Sequence, residues 1–188
     1  MSFYRNHLGI RQAVNALRAG TCIAYPTEGV WGLGCDPENT QAIRALIKLK
    51  SRPPEKGLIL VSGQVSDFDY LLDGLTDQQR SRILASWPGH TTWLLPHAGR
   101  VSPWVSGISA KVAVRVSTHP VIKAICDRFA GPIVSTSANP ASLPAAENAI
   151  TVRRYFKHAQ LHYAPGRTAG MRRASRIIDA ITGDIHRT

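Results

Sequence analysis

The period of the apolar positions changes repeatedly along this chain, and each change predicts an element. Ile10, Val14 and Leu17 share a helical face, and Gly20 stands where it can cap that helix. TCIAYPT, residues 21–27, reads as a buried strand, and YPTEGVWGLGCD as a glycine-punctuated connection after it. A helix over about 40–50 follows, with Ile43, Leu46 and Ile47 turned inward. GLILV (57–61) is a strand, and Thr76 with Gln79 fits a capping box whose helix must end by Pro88-Gly89. HTTWLLP (90–96) and KVAVRVS (111–117) are strands, and HPVIKAICDRFAG (119–131) is a helix with Pro120 near its first turn. PIVSTSAN (132–139) is another strand, a helix lies near 148–156, and SRIIDAITGDIHR is a hairpin turning at Thr182-Gly183. Strands alternate with helices, yet hairpin-like pairs occur too. The pattern predicts an α/β fold, a single domain spanning residues 1–188 around one twisted, open, mixed sheet with flanking helices.

Composition changes the picture through charge. The 188 residues carry 23 Lys plus Arg against 12 Asp plus Glu, a formal net charge of +11. That balance favours a polyanionic partner such as nucleic acid or nucleotide, although a basic surface kept for solubility would look the same. Three widely spaced cysteines, Cys22, Cys35 and Cys126, suit buried thiols in a reducing compartment better than a disulfide framework. No apolar run approaches the ~18 residues of a membrane span, so the expected location is the cytoplasm, with no membrane partner.

Four segments could carry chemistry. In LKSRPPEKGLILV (49–61), Lys50, Arg52 and Lys56 surround two prolines before a buried strand. A residue before proline is pushed into extended geometry. Lys50 and Arg52 are therefore expected on one side, about 7 Å apart, a spacing suited to successive phosphates. Cations favouring a helix dipole would explain Lys48 and Lys50 without a ligand. In STSAN (135–139), alternation puts Ser135, Ser137 and Asn139 on one face at a strand's carboxyl end, where open α/β sheets bind ligands and where turn chemistry also gathers such residues. YPTEGVWGLG (25–34) offers Thr27 and Glu28, but neither a P-loop nor a dinucleotide fingerprint. Arg115 interrupts VAVRV and needs a counter-charge, from a ligand carboxylate or a structural acid; the scarcity of acids tilts the expectation toward the ligand. His158 and His162 lack a third ligand, so no zinc site is expected, and no acidic cluster could hold bare Mg²⁺.

Taken in order, AYPTEGVWGLGCD, LKSRPPEKGLILV, WPGHTTWLL, VAVRVSTHP and VSTSAN resemble the YrdC-like family over nearly the whole chain, in its short form. The resemblance implies an open α/β sheet with a basic concave face. It also implies synthesis of threonylcarbamoyl-AMP and pyrophosphate from L-threonine, bicarbonate and ATP, a nucleotidyl transfer serving tRNA threonylcarbamoyladenosine modification. ATP would be a substrate with Mg²⁺ on its phosphates, and tRNA-modification partner proteins would receive the product. By position, Lys50 and Arg52 match the family's K-x-R and would meet the triphosphate in the catalytic step. Ser137 and Asn139 match S-x-N, Thr92 a nucleotide contact, and Arg187 a late nucleotide-binding arginine. Thr27, Arg115, Ser135 and Ser175 match threonine-side positions.

Several residues depart from the family pattern. His90 stands where proline is usual, Ala141-Ser142 where Ser-Gly is common, and Arg176 where threonine or an acid is usual, beside Arg172 and Arg173. These extra arginines would suit RNA. The rival reading is accordingly a non-catalytic double-stranded RNA or tRNA-binding module of the same fold. A third is a paralogue that lost threonine chemistry.

Overall fold

A computed structural model describes residues 3–171 and 174–187; Arg172 and Arg173 lie outside the described residues. The strands are β1 (Ile23–Pro26), β2 (Trp31–Cys35), β3 (Ile59–Ser62), β4 (Thr91–Pro96), β5 (Lys111–Val116), β6 (Ile133–Ser137), β7 (His162–Tyr163), β8 (Arg176–Asp179) and β9 (Ile185–Arg187). The α-helices are α1 (Leu8–Arg18), α2 (Thr40–Leu49), α3 (Asp69–Leu72), α4 (Asp77–Leu84), α5 (Pro103–Ser106), α6 (Pro120–Phe129) and α7 (Ala149–Tyr155). The strands form one open mixed sheet in the order β7-β1-β2-β6-β3-β5-β4-β8-β9. Parallel pairing joins β3 to β5, β4 to β8 and β1 to β7; the other neighbours are antiparallel. The expected capping box is present, Thr76 accepting from the Gln79 N–H and the Gln79 side chain from the Thr76 N–H. No helix among the described residues is long and apolar enough to cross a membrane.

The connection expected over 25–36 contains a strand. Alternation is real there: Trp31, Leu33 and Cys35 point into the core beneath α2, and glycines take the other face. Those glycines disguise the strand, because glycine weakens strands and packs nothing itself. Tyr25 supplies the reason for them. Its ring lies over the opposite face of β2, and a Cβ on Gly34 would stand 2.9 Å from Tyr25 Cε1 and 2.5 Å from the Val134 carbonyl.

Strand alternation divides the core in two. Leu33, Leu60, Trp93, Val114 and Val134 pack with Ile43 and Leu46 of α2 on one side. Ile23, Tyr25, Val61 and Ile133 pack under α1 and α6 on the other. Those two helices cover only part of their side. The alternate residues of β3, β4, β5, β6 and β8 continue past them as the open floor of a cavity. The site is thus the uncovered half of one sheet face.

Candidate active site

The cavity encloses about 350 Å³. Its floor is apolar and low, with Ile59, Ala113, Leu94 and Ile177 from neighbouring strands. Ser135 sits opposite both Ile59 and Gly34 in the register, so small residues deepen the centre. Around this floor stand Arg52, Lys56, Arg115 and Arg187, with His90 and His186, and no Asp or Glu is among the described residues that line it. Cations gathered around one cavity favour an anionic ligand, although Glu28 behind the lining offsets the charge of Arg115.

Eight of the ten residues proposed from sequence line this cavity: Thr27, Arg52, Thr92, Arg115, Ser135, Ser137, Ser175 and Arg187. Lys50 and Asn139 are placed differently, and the reason is local backbone geometry. α2 ends in a Schellman turn, Arg52 N–H bonding to Ile47 O at 3.1 Å and Ser51 N–H to Lys48 O at 3.0 Å, with Ser51 at φ +50°. The left-handed residue between them sends Lys50 and Arg52 in different directions, so the expected parallel pair does not form. Lys50 is 4% exposed, and its ammonium donates to the carbonyls of Ser137 and Asn139 (2.7 Å to the latter) and to Asn139 Oδ1 at 3.5 Å. Burial first, and then the nearby Arg52 charge, pull its pKa down to about 8. β6 stops at Ser137, and the Asn139 N–H turns back to the Ser137 carbonyl at 3.0 Å. Asn139 therefore leaves the face shared by Ser135 and Ser137; its amide donates to Leu143 O at 2.6 Å.

Arg52 lines the cavity. Pro54 keeps Pro53 extended at φ −60°, ψ 127°, and the chain then makes a single 3-10 turn over Pro54–Lys56. The Arg52 guanidinium grips that turn from below, Nε donating to Gly57 O at 3.0 Å and Nη2 to Lys56 O at 3.2 Å. Leu58 N–H bonds to Val105 O at 2.7 Å, which ties the turn to α5. Gly57, at φ +58°, admits that contact, since a Cβ there would stand 2.7 Å from Ser106 O. Burial lowers the pKa of Arg52. Lys56 is exposed and lines the cavity beside it. Sequence reasoning noted Lys56 in the cationic join but did not assign it to the site, and it missed His186.

Arg115 corrects an expectation. Its counter-charge is structural: Nη2 pairs with Glu28, which is itself only 4% exposed. Glu28 also accepts from Ser117 Oγ at 2.6 Å and the Thr118 N–H at 3.1 Å. Burial alone would raise the Glu28 pKa, but Arg115, Ser117 and the backbone outweigh it and hold the carboxyl below its usual range. Arg115 Nε is buried without a hydrogen-bond partner, so the guanidinium keeps donor capacity beyond the ion pair. Thr27 Oγ1 donates to Val30 O at 2.7 Å, closing the β1–β2 turn.

The far wall is one linked unit. Thr92 and Ser175, both buried, share a hydrogen bond of 2.8 Å. Arg187 donates from Nε to Ser175 O at 2.9 Å and from Nη2 to Ser175 Oγ at 3.1 Å. Burial first, then the Arg115 charge, lower the pKa of Arg187. At the centre, Tyr25 donates to Ser135 Oγ at 2.7 Å and so orients that hydroxyl. Of the departing residues, His90 lines the cavity, Ala141 and Arg176 are exposed outside it, and Ser142 takes φ +72°, a conformation glycine favours. All three cysteines are free and buried. Among the described residues no group of three His, Cys, Asp or Glu could hold a metal ion.

Residues 15–188 match the family model Sua5_yciO_yrdC, described as "Telomere recombination". The chain belongs to the Sua5/YciO/YrdC family. Its relatives include a threonylcarbamoyl-AMP synthase of Saccharophagus degradans, 52% identical over 95% of this chain and 93% of the relative. Another so named, from Hahella chejuensis, is 49% identical over 95% and 97%. Among solved structures, P. abyssi Sua5 complexed with L-threonine superposes with a TM-score of 0.82 at 27% identity, over 90% of this chain and 50% of that one. This Sua5/YciO/YrdC chain thus spans about half the length of that Sua5. E. coli YciO, at 22% identity and a TM-score of 0.81 over 95% and 87% of the two chains, shares the fold.

Proposed function

We propose that this protein is a threonylcarbamoyl-AMP synthase, joining L-threonine, bicarbonate and ATP into threonylcarbamoyl-AMP with release of pyrophosphate. The observation that carries the reading is the full-length likeness to relatives so named, reaching 52% identity. The cavity's make-up agrees with it. The threonine amine bonds to the bicarbonate carbon as water leaves, and a carbamate oxygen then bonds to the α-phosphorus as the bond to pyrophosphate breaks. Such chemistry needs reactants held in line and charge neutralised more than it needs a protein nucleophile.

Arg52, with Lys56 beside it, faces the triphosphate, and Ser137, Thr92 and Arg187 hold the nucleotide. Thr27, Arg115, Ser135 and Ser175 form the threonine side, with the Arg115 charge suited to its carboxylate. Among the described residues the lining offers no carboxylate to a bare cation, and Mg²⁺ is accordingly assigned to the ATP phosphates. The chain acts as one domain in the cytoplasm and passes its product to tRNA-modification partner proteins.

RNase-treated protein incubated with ATP and bicarbonate tests this directly. Pyrophosphate should appear when threonine is added and stay at background when it is omitted. Absent turnover, together with RNA binding that weakens with salt by a log–log slope of about −0.7 per neutralised phosphate, would replace the synthase with an RNA-binding module.

A further inference from the structure

We infer that Lys50 is a positioning residue for the synthase reaction: it clasps the end of β6 to the end of α2 and thereby sets Ser137 relative to Arg52, without contacting the nucleotide. The inference rests on the proposed synthase reading for its catalytic consequence, and on geometry for the clasp itself. Both ends of Lys50 take part. Its ammonium donates to Ser137 O, Asn139 O and Asn139 Oδ1, while its own carbonyl accepts from the Ala141 N–H at 2.9 Å. Four hydrogen bonds from one residue therefore span 137–141, a segment nearly ninety positions further along the chain.

The chemistry of the clasp excludes a second duty as a phosphate ligand. An ammonium has three protons. Three oxygens of the β6 exit already surround this one, Lys50 is 4% exposed, and it is not among the residues lining the cavity. Turning it toward a phosphate would strip the Ser137 and Asn139 carbonyls of this donor. A cation is nevertheless suited to the place, because charge-assisted bonds to several carbonyls are stronger than neutral ones and one ammonium serves all three. Ser51 ensures the division of labour: its left-handed conformation directs Lys50 under the sheet end and Arg52 to the cavity wall.

The clasp has a readout that needs no substrate. In Lys50→Met, amide exchange at Ala138 and Ala141 should quicken by about 10-fold or more through local opening, while the β3 and β5 amides keep their protection. Lys50→Gln, which still donates but carries no charge, should fall between the variant and the wild type. Unchanged exchange at 138–141 in Lys50→Met overturns the inference whatever the protein catalyses. The second readout is a double-mutant cycle on pyrophosphate formation. Lys50→Met should lower kcat/KM for ATP by about 10- to 100-fold in the wild type, the scale expected for a misplaced group, and by much less in a Ser137→Ala background. Equal losses in both backgrounds would mean that Lys50 acts independently, as a direct ligand would, and the inference falls. Should Lys50→Met not fold, the same cycle with Lys50→Gln decides, since a phosphate ligand would lose its charge there in full. A wild type that shows no threonine-dependent pyrophosphate would remove the synthase reading, leaving the exchange experiment to judge the clasp alone.

Discussion

Arg115 joins two tasks in one side chain, and they can be separated by substitution. Its pairing with Glu28 is buried, so Arg115→Ala leaves an uncompensated carboxylate and should cost about 3–5 kcal/mol of stability. Replacing both partners, as Arg115→Met with Glu28→Leu, should restore most of that loss in denaturant titration. The doubly substituted protein should then need far more threonine for half-maximal turnover while its ATP requirement stays close to normal. A parallel rise in both requirements would assign Arg115 to the fold rather than to the amino acid. Sequence reasoning recognised that a lone arginine in an apolar strand needs a partner. It could not choose Glu28, which is 87 positions away in the chain and meets Arg115 only in the folded molecule.

Elements were legible where periodicity was strong. α1, α2, α6 and the capping box of α4 follow from helical spacing and cap chemistry, and β4, β5 and β6 from short, largely apolar runs between turn signals. β2 escaped because glycine occupies alternate positions, and the need for glycine lies in Tyr25 on another strand. That need can be tested on the element itself. Gly34→Ala puts a methyl group against the Val134 carbonyl and the Tyr25 ring, so β2 must shift or Tyr25 must leave its place. A loss of about 1–3 kcal/mol is expected from such overpacking, together with weakened Tyr25–Ser135 bonding. Thermal unfolding alongside near-UV circular dichroism of the tyrosine checks both. The join between α2 and β3 shows the same limit. Consecutive prolines announced a stiff segment, but the Ser51 turn that parts Lys50 from Arg52 has no glycine to signal it.

At the scale of the whole molecule, the Glu28 network ties stability to pH. Its folded pKa lies below the ordinary 4.5, so its contribution is complete above that value and is lost as pH falls through the folded pKa. Unfolding free energy should therefore drop on the acid side, and Glu28→Gln should flatten that decline relative to wild type in denaturant titrations from pH 6 downward. An unchanged acid limb would remove Glu28 from the account. The sequence by itself determined the fold class, the basic balance and the residue types of the site. These are properties of local period, of composition and of motif spacing, which need no third dimension. Tertiary structure alone decided which cations face the cavity. Lys50 and Arg52 are two positions apart with the same charge, yet one is enclosed by carbonyls and the other lines the site. Burial and hydrogen-bond partners separate them. Lys50 is held by the exit of β6, distant in the chain and brought close by the fold. Arg52 instead bonds to the nearby turn at Lys56 and Gly57 and faces the cavity.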